Sequence, residues 1–288
     1  MRIHHLNCAT LCPPGGKLVD GSAGYFRTAR LVCHVLLIET SKGLVLVDAG
    51  LGLEDVAKAS SRLGKTFMGL ARPRLDPLET AARQVEWLGF RREEVRHIVL
   101  THLDVDHAGG IADFPWARIH LLGSELHAAT VRADPREKER YRPVQFRHGP
   151  RWETYHEEGE RWFGFRAVRA LRGLPPEILL VPLEGHTRGH AGVAVDTGAG
   201  WLLHAGDAYF FRGEVHEAKP RCPPGLELFQ MHACIDPVAR AHNRKRLRQL
   251  AREQAGTVRI FSSHDPVEFE QARAMEEERH APRRIVQV

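Results

Sequence analysis

The sequence predicts an α/β fold, in which strands and helices are mixed along a single domain spanning residues 1–288. Short apolar runs of strand length alternate with segments whose apolar residues recur at helical spacing. No low-complexity linker and no shift in composition divides the 288 residues. Clustered His and Asp residues follow or join several predicted strands, which indicates a functional site built from loops at one sheet edge.

A β-hairpin and several short elements are predicted in the N-terminal half. The apolar runs Val32–Thr40 and Leu44–Asp48 are separated by a short turn that contains glycine, as in a two-stranded hairpin. Thr80–Leu88 places its apolar residues on one helical face. Ile119–Leu122 is a predicted strand, and Ser124 is a candidate cap for the helix that follows it.

Four more strands and one long helix are predicted in the C-terminal half. Asp236 and Pro237 provide a capping carboxylate and a proline at the first helical position, and the helix is expected to reach about Gln254. The four strands are Ile178–Leu183, Ala191–Thr197, Trp201–Ala205 and Val258–Ser262.

Two less regular segments interrupt this pattern. Leu53–Pro77 carries Phe67, Met68 and Leu70 between basic residues, and Arg132–Arg172 is rich in Arg and aromatic residues. Such segments are either lid insertions beside an active site or ordinary surface helices and loops. We predict lids near 53–77 and 132–172 and leave the surface alternative open.

Composition excludes a membrane protein and a disulfide scaffold. Hydrophobic residues make up 43% of the chain, but no apolar run approaches the roughly 20 residues that span a bilayer. The N-terminal segment lacks the apolar core of a secretory signal, so a cytoplasmic protein is expected. The five cysteines are odd in number and widely spread. His4, His5, Cys8 and Cys12 are interpreted as surface histidines and scattered thiols rather than as a metal cluster.

The charge balance favours a small-molecule substrate over a nucleic acid. Lys and Arg number 41 against 36 for Asp and Glu, but basic and acidic residues are mixed along the chain. No nucleic-acid-binding motif accompanies them, so no nucleic-acid partner is expected. A mildly basic surface of this kind favours anionic small molecules.

The densest chemical motif directly follows the predicted strand at His97–Thr101. It reads THLDVDHAGG, and its two glycines allow the backbone to turn tightly. Its four candidate metal ligands are His102, Asp104, Asp106 and His107. Later motifs at strand ends or between strands add His186, Asp207 and His264. Imidazole and carboxylate groups converging from four loops are what two neighbouring divalent ions require, whereas any one motif alone could consist of turn and capping residues.

These motifs resemble, in the same order, those of the metallo-β-lactamase superfamily. THLDVDHAGG is similar to the H-x-H-x-D-H signature, GHTRGH, HAGD and SSHD to the later motifs, and VDAG to the early D-[TA]-G turn. The resemblance covers roughly residues 31–266. It implies a four-layer αβ/βα sandwich, in which two mixed sheets lie face to face with helices outside and metals at one sheet edge.

The resemblance also implies a ligand set for two divalent metal ions. The first ion would take His102, Asp104 and His186. The second would take Asp106, His107 and His264. Asp207 would bridge the two ions, while Asp48 and His190 would support the loops. Asp104 departs from the signature, which has histidine there; a carboxylate is a harder ligand, so iron or manganese is an option beside the slightly favoured zinc.

The expected reaction is hydrolysis, in which hydroxide held by the two ions attacks a carbonyl. Asp106 is a candidate to return a proton to the leaving group. Tyr209 is a candidate donor to the substrate oxygen, with a buried structural role as its alternative. The layout most resembles the N-acyl-homoserine lactonase branch, although Phe210 occupies the position of the tyrosine in that branch.

Other functions remain open at this level. They are a glyoxalase II-like thioesterase, a phosphodiesterase and a di-iron redox protein, the last because of Asp104. Phe67, Met68, Leu70 and Phe146 are interpreted either as the lining of an acyl-chain pocket or as ordinary packing. Homodimers are common among such enzymes, and the sequence leaves a homodimer open.

Overall fold

The computed structural model describes residues 1–156, 159–168 and 171–280, which form thirteen strands and eleven α-helices. The strands are β1 (Arg2–Leu11), β2 (Leu31–Thr40), β3 (Gly43–Val47), β4 (Pro73–Arg74), β5 (Val95–Val99), β6 (Arg118–Leu122), β7 (Arg151–Tyr155), β8 (Glu160–Trp162), β9 (Phe165–Ala167), β10 (Ile178–Pro182), β11 (Ala191–Asp196), β12 (Trp201–His204) and β13 (Val258–Phe261).

The helices are short apart from three in the C-terminal third. They are α1 (Lys17–Asp20), α2 (Leu53–Ala57), α3 (Ala59–Arg62), α4 (Lys65–Leu70), α5 (Ala81–Trp87), α6 (Val105–Ala108), α7 (Gly123–Val131), α8 (Pro135–Arg140), α9 (Pro224–Ala233), α10 (Pro237–Glu253) and α11 (Pro266–His280). Within the described ranges, none of these helices combines the length and the apolar character needed to cross a bilayer.

The strands form two mixed sheets and a small hairpin. The first sheet has the order β4-β1-β2-β3-β5-β6-β7, the second has the order β10-β11-β12-β13, and β8 pairs with β9. In the first sheet β3, β5, β6 and β7 run parallel, and in the second β12 and β13 run parallel. Parallel strands bring their carboxyl ends to one edge, so the segments that follow β3, β5, β12 and β13 can meet there.

The alternation of side chains along each strand divides the core into layers. Leu36 of β2 and Leu180 of β10 belong to the apolar cluster between the two sheets. Leu37, the next residue of β2, belongs to a second cluster on the opposite face, which packs against α5 and α7. Leu179 of β10 likewise faces a third cluster that contains Leu247 of α10. The result is helix, sheet, sheet and helix, which confirms the predicted four-layer αβ/βα sandwich.

Most of the predicted elements are present. The predicted hairpin is the antiparallel pair β2 and β3, and α10 begins where Asp236 accepts hydrogen bonds from the backbone N–H groups of Val238 and Ala239. The prediction that Ser124 caps a helix is wrong, because α7 begins one residue earlier with Leu122 at its N-cap. Ser124 is instead the second residue of α7, inside its first turn.

The N-terminal segment was predicted to carry surface histidines, and this is wrong. Arg2–Leu11 is a strand inside the seven-stranded sheet, between β2 and β4. His4 and His5 are each 8% exposed, and His5 Nδ1 lies 2.7 Å from His34 Nε2 of β2. Cys8 is also buried, although Cys12 lies partly exposed beyond the end of the strand. Pairing with β2 and packing of α11 supply this burial, and both partners are distant in sequence.

Candidate metal centre

The His and Asp residues singled out in the sequence converge at one edge of the two sheets. His102 and His107 follow β5, His186 lies between β10 and β11, Asp207 follows β12 and His264 follows β13. The nitrogen atoms of His102 and His186 and a carboxylate oxygen of Asp207 lie within 4.8 Å of one another. His107 and His264 form a second group of the same kind, again with Asp207.

The carboxylate of Asp207 stands between these two groups of histidines. Its Oδ2 lies 3.4 Å from His186 Nε2 and 3.8 Å from His102 Nε2. Its Oδ1 lies 3.4 Å from His107 Nε2 and 3.2 Å from His264 Nε2. His264 Nε2 also lies 3.3 Å from Oδ2. The carboxylate thus lies between the two pairs of imidazoles and within reach of both, which is the arrangement that a bridging ligand requires.

The other two predicted carboxylates lie on either side of Asp207. Asp104 Oδ2 is 3.1 Å from His186 Nε2 and 3.4 Å from His102 Nε2. Asp106 Oδ2 is 3.7 Å from His264 Nε2 and 3.8 Å from His107 Nε2. The structure thus brings together all seven residues that the sequence nominated as ligands.

Unpaired buried atoms in this cluster fit divalent cations. The atoms are His102 Nε2, His107 Nε2, Asp104 Oδ1 and Asp207 Oδ1, each buried without a hydrogen-bond partner among the described residues. A buried polar atom without a partner costs about 1–3 kcal/mol. Imidazole nitrogens and carboxylate oxygens are ligands that zinc, iron and manganese accept, so the donor set can hold such ions.

Hydrogen bonds on the far side of three imidazoles turn their Nε2 atoms toward the centre. The Nδ1 of His107 lies 2.8 Å from Asp48 Oδ2, and that of His264 lies 2.7 Å from the Val32 carbonyl. His102 Nδ1 lies 2.9 Å from the Thr101 hydroxyl. With Nδ1 donating these bonds, Nε2 is the atom left to bind a metal ion.

Asp48 and His190 hold the loops in place, as expected. Asp48 adopts a left-handed backbone conformation with φ of 58° and accepts hydrogen bonds from the Thr101 N–H and hydroxyl as well as from His107. His190 Nδ1 donates to the Leu183 carbonyl at 2.9 Å, and its Nε2 accepts the Asp207 N–H at 2.8 Å. Neither residue therefore has a free nitrogen or oxygen atom with which to bind a metal ion at the centre.

Burial and charge act in opposite directions on the titrating groups of the centre. Burial alone would raise the pKa of Asp207, but His264, His107 and His186 hold it well below its usual range. Burial alone would lower the pKa of His107, but the neighbouring carboxylates, above all those of Asp207 and Asp106, raise it to about 10. An ion that binds His107 must displace a proton at neutral pH, so metal binding and proton release are coupled.

Glu125 joins two of the motifs and was missed in the sequence. Its Oε1 accepts the Leu103 N–H at 2.9 Å and the Tyr141 hydroxyl at 3.1 Å. Its Oε2 accepts the Thr187 hydroxyl at 2.7 Å and the Gly189 N–H at 3.1 Å. This fully buried carboxylate therefore fixes the loop after β5 against the loop that carries His186. Its partners lie up to 64 residues away, so no local pattern could have indicated the role.

Arg140 was also missed, although it contacts two of the predicted ligands. Its Nη1 donates to Asp104 Oδ2 at 2.7 Å and lies 3.0 Å from His186 Nε2, while Nη2 donates to the Ala233 carbonyl. Burial opposes ionisation of Asp104, but the guanidinium and His102 hold its pKa well below the usual range. An ion bound to His186 Nε2 would replace the hydrogen bond from Arg140, leaving the guanidinium beside Asp104.

Cys33 lies next to the second group of ligands. Its Sγ is 3.9 Å from Asp106 Oδ2, within the same 4.8 Å grouping as His264. Burial, and then the nearby carboxylates of Asp106 and Asp207, raise the pKa of this thiol well above its usual range. The cysteine is therefore held as a thiol, and its isolated position in the sequence gave no sign of its location.

The glycines of the central motif permit close packing rather than a tight turn. A Cβ on Gly110 would lie 2.3 Å from the Ala49 carbonyl oxygen, and one on Gly109 would lie 2.2 Å from Asp55 Oδ2. Neither glycine has a positive φ. The expectation of a glycine-dependent turn was therefore wrong, since what these positions require is the absence of a side chain.

Tyr209 does not line the cavity over the centre, so the donor role predicted for it is corrected and its alternative, a buried structural role, agrees with the structure. It is fully buried in the core cluster on the outer face of the second sheet, and its hydroxyl donates to Glu268 at 2.9 Å. The next residue, Phe210, lines the cavity over the centre, with its ring 4.6 Å from that of His264. Tyr209 and Phe210 therefore lie in different surroundings, and Phe210 is the aromatic wall of the cavity.

The cavity over the centre is mostly apolar. Phe67, Leu70 and Phe229 line it together with Asp106, Asp207 and His264. The predicted lid at 53–77 therefore reaches the site through α4. Met68 and Phe146 pack instead against core clusters, Met68 beside the N-terminal strands and Phe146 beside Trp152.

Only part of the segment 132–172, which is predicted to be a lid, lies near the site. Arg140, at the end of α8, reaches the site, but Arg151–Tyr155 is the edge strand β7 of the first sheet, parallel to β6. Glu160–Trp162 and Phe165–Ala167 form the β8–β9 hairpin, in which Trp162 and Phe165 join the core beside the second sheet. Four residues of the span, 157–158 and 169–170, lie outside the described residues. Sheet pairing, which the composition of the segment did not indicate, explains the difference.

Comparison with known proteins places this site in a family. The model of the metallo-beta-lactamase superfamily matches residues 28–264. A probable metallo-hydrolase of Mycobacterium tuberculosis is 43% identical over 266 residues, which are 92% of this chain and 77% of that protein. The N-acyl homoserine lactonase AiiA of Bacillus thuringiensis is 22% identical over 230 residues, which are 80% of this chain and 79% of that protein.

Solved structures share the fold. A B. thuringiensis AiiA mutant with N-decanoyl-L-homoserine at its active site has a TM-score of 0.68 and 20% identity, covering 95% of both chains. The dizinc quorum-quenching lactonase AidC has a TM-score of 0.59 and 15% identity, covering 92% of this chain and 87% of AidC. The family match covers every motif of the centre from Asp48 to His264, and the chain belongs to the metallo-beta-lactamase superfamily.

Proposed function

We propose that this protein is a metal-dependent hydrolase that cleaves the ester bond of an acylated small molecule, for which an N-acyl-homoserine lactone is the reference substrate. The observation that carries the proposal is the carboxylate of Asp207, which lies between two pairs of histidines beneath an apolar cavity. The lactonases among the relatives and structural neighbours support the choice of substrate.

The proposed ligands form two sets that share Asp207. One set is His102, Asp104 and His186. The other is Asp106, His107 and His264. Two divalent ions held by such sets supply a hydroxide nucleophile at neutral pH and polarise the scissile carbonyl. We propose zinc as the ion to test first, and the carboxylate of Asp104 makes iron and manganese the next candidates.

Asp106 is the proposed proton carrier. Its side chain borders the cavity, and Oδ2 lies 3.7 Å from His264 Nε2, so the carboxylate contacts both the centre and the space for substrate. A carboxylate in this position can take a proton released on attack and deliver it to the leaving oxygen. Tyr209 has no part in this proposal, because its hydroxyl lies in the core beside Glu268.

The apolar wall is proposed to hold the acyl chain and to exclude water from the reacting bond. Phe67 and Leu70 of α4, with Phe210 and Phe229, supply the aromatic and aliphatic surface. Burial of each methylene is worth about 0.8 kcal/mol, or roughly a fourfold change in an equilibrium or rate constant. Lactones with four- to eight-carbon chains should therefore show a rise in kcat/KM with chain length until the cavity is filled.

The test follows proton release in weakly buffered solution. The protein is stripped with a chelator, reloaded separately with zinc, iron or manganese, and mixed with an N-acyl-homoserine lactone. Hydrolysis opens the ring and releases one proton per turnover. Acid release by the reloaded protein, absent in Asp207→Asn, is the expected result.

The matched control is Asp196→Asn. Asp196 is a partly exposed aspartate at the opposite end of β11 from the centre, so the same chemical change there should leave both metal content and turnover intact. Two tightly bound ions per chain without lactone turnover would refute the lactone as substrate, and thioesters and phosphodiesters would be assayed next. Oxygen consumption by the iron-loaded protein would favour the redox alternative.

A further inference from the structure

Two cavities meet at the proposed metal centre, and their walls differ in charge. The first, which we call the apolar arm, has a volume of about 220 Å³, and its wall includes Leu11, Leu31 and Leu226. The second, which we call the cationic arm, has a volume of about 180 Å³, and its cationic side chains include Lys65, Arg136, Arg140 and Arg142. Asp104 and Asp106 border both arms, so one ligand can extend from one arm into the other past the centre.

The positive charges of the cationic arm exceed the carboxylates that could neutralise them. Arg140 is paired with Asp104 at 2.7 Å. The remaining three have no ion pair among the described residues; they are Lys65, Arg136 and Arg142. Arg136 and Arg142 donate only long hydrogen bonds of 3.4 Å, to the backbone carbonyls of Cys234 and Ser61. Besides the two aspartates of the centre, the carboxylate that lines this arm is Glu139, which already accepts from the Thr66 hydroxyl.

We infer that the preferred substrate carries an anionic group, a carboxylate or a phosphate, on the side of the scissile bond opposite its acyl chain. The inference rests on the proposed ester hydrolysis and concerns open-chain esters, because ring-opening of the neutral reference lactone releases no separate alcohol fragment. With the acyl chain in the apolar arm and the reacting carbonyl beside Asp106, the leaving portion of the substrate extends into the cationic arm.

The electrostatics of a recessed site favour this assignment. Cations gathered along a concave wall raise the local concentration of an anionic ligand and speed its association, an effect of about tenfold or more that falls with ionic strength. Two divalent ions would bring four positive charges, which the carboxylates of Asp104, Asp106 and Asp207 and the hydroxide held by the ions would balance, so the aspartates of the loaded centre would no longer offset the cations of the arm.

The overall reaction remains an ordinary hydrolysis. Water adds to the acyl carbon, the bond from that carbon to the leaving oxygen breaks, and the leaving oxygen takes a proton to become a hydroxyl. The fatty acid dissociates to a carboxylate and releases one proton. The anionic group stays on the alcohol fragment and is unchanged.

The test compares esters that differ only in charge. The probes are the octanoyl esters of hydroxyphenylpropanoate, of its neutral amide and of tyrosol phosphate. In each of them the phenol oxygen is the leaving group, and an alkyl spacer insulates it from the charged end, so intrinsic reactivity is matched. The ratio of kcat/KM for an anionic ester to that for the neutral ester, taken in one protein sample, cancels differences in metal content.

Two double variants decide whether the cationic arm sets this ratio. Lys65→Gln with Arg136→Gln removes two exposed charges from the arm. Lys58→Gln with Lys138→Gln removes two exposed charges from the same region, where both residues border a different surface cavity. Because all four side chains are exposed, neither variant threatens folding.

We expect a ratio of about ten or more in the native protein at low salt, a fall toward one in the Lys65/Arg136 variant, and no change in the Lys58/Lys138 variant. Whichever of the two anionic esters reacts faster identifies the anion. A native ratio near one, or a high ratio that survives in the Lys65/Arg136 variant, would overturn the inference.

Non-hydrolysable ethers keep the inference testable if turnover fails. If none of the esters is hydrolysed, the lactone assay still decides the proposed function, and the octyl ethers of the same phenols can be titrated by calorimetry against the metal-loaded protein. Tighter binding of the anionic ether, lost in the Lys65/Arg136 variant, supports the inference, and equal binding of the charged and neutral ethers refutes it.

Discussion

Replacement of Glu125 by glutamine should weaken both the fold and the metal centre. The carboxylate accepts four hydrogen bonds, two on each oxygen, from the loop after β5, from Tyr141 and from the loop that carries His186. Glutamine has nearly the same shape but only one acceptor oxygen, and its NH₂ group is itself a donor. The substitution therefore tests the hydrogen bonds without creating a cavity.

The expected loss of stability follows from counting donors. The amide oxygen of glutamine can occupy the position of Oε1, beside Leu103. The Thr187 hydroxyl can then rotate to accept from the NH₂ group, but the Gly189 N–H is left unpaired. If the amide is flipped, the Tyr141 hydroxyl can rotate, but the Leu103 N–H is left unpaired. One buried backbone donor without a partner costs about 1–3 kcal/mol, and losing the negative charge at the remaining bonds adds about 1 kcal/mol. We therefore expect a loss of about 2–4 kcal/mol.

The assay has two readouts. Urea unfolding of the chelator-treated protein gives the change in free energy, and competition with a chromogenic chelator gives the metal affinity. Loosening of the His186 loop should lower the affinity for at least one ion by about 10- to 100-fold, as for other groups that orient metal ligands. Glu93→Gln, at an exposed position, is the control and should change neither readout.

A small effect would refute this reasoning. If Glu125→Gln loses less than about 1 kcal/mol and keeps its metal affinity, the carboxylate is not what fixes the two loops together. Loss of stability with unchanged metal affinity would show that the centre keeps its geometry when the contact between the loops is weakened.

Three further predictions concern single residues. Gly110→Ala should destabilise the protein by about 1–3 kcal/mol in urea unfolding, because its Cβ would lie 2.3 Å from the Ala49 carbonyl oxygen; unchanged stability would show that the backbone shifts freely. Tyr209→Phe should lower the free energy of unfolding by about 1 kcal/mol, because the hydrogen bond to Glu268 is lost, and should leave kcat/KM unchanged. A large loss of turnover would show that the hydroxyl takes part in catalysis. Burial raises the pKa of Asp113 to about 6, so the native state binds its proton more tightly and stability falls as the pH rises from about 4 to 6. Asp113→Asn should lack this fall, which is about 3 kcal/mol at most. Parallel pH curves of the unfolding free energy for the two proteins would contradict the assignment.

Local sequence patterns predicted the elements that local chemistry determines. The antiparallel pair β2 and β3, the cap of α10 at Asp236, and the strands that precede Asp207 and His264 are encoded by neighbouring residues. The order of the motifs also indicated the family. These features could be inferred because turn residues, caps and apolar periodicity act over a few positions.

Residues whose role depends on distant partners could not be inferred in this way. His4 and His5 are polar in sequence, yet pairing of β1 with β2 and packing of α11 bury them. Tyr209 and Phe210 are adjacent aromatics, and only the packing of Glu268 against one of them decides which faces the cavity.

The sequence by itself determined that this protein has the fold of the metallo-beta-lactamase superfamily. It also determined that seven candidate metal ligands follow four strands, because those residues lie in short, dense motifs. The tertiary structure decided that Asp207 stands between two groups of histidines, that Glu125 and Arg140 contact the motif loops, and that an apolar and a cationic arm meet there. The physical reason is that hydrogen bonds, buried charges and cavity walls join residues tens to hundreds of positions apart, and such contacts exist only once the sheets have packed.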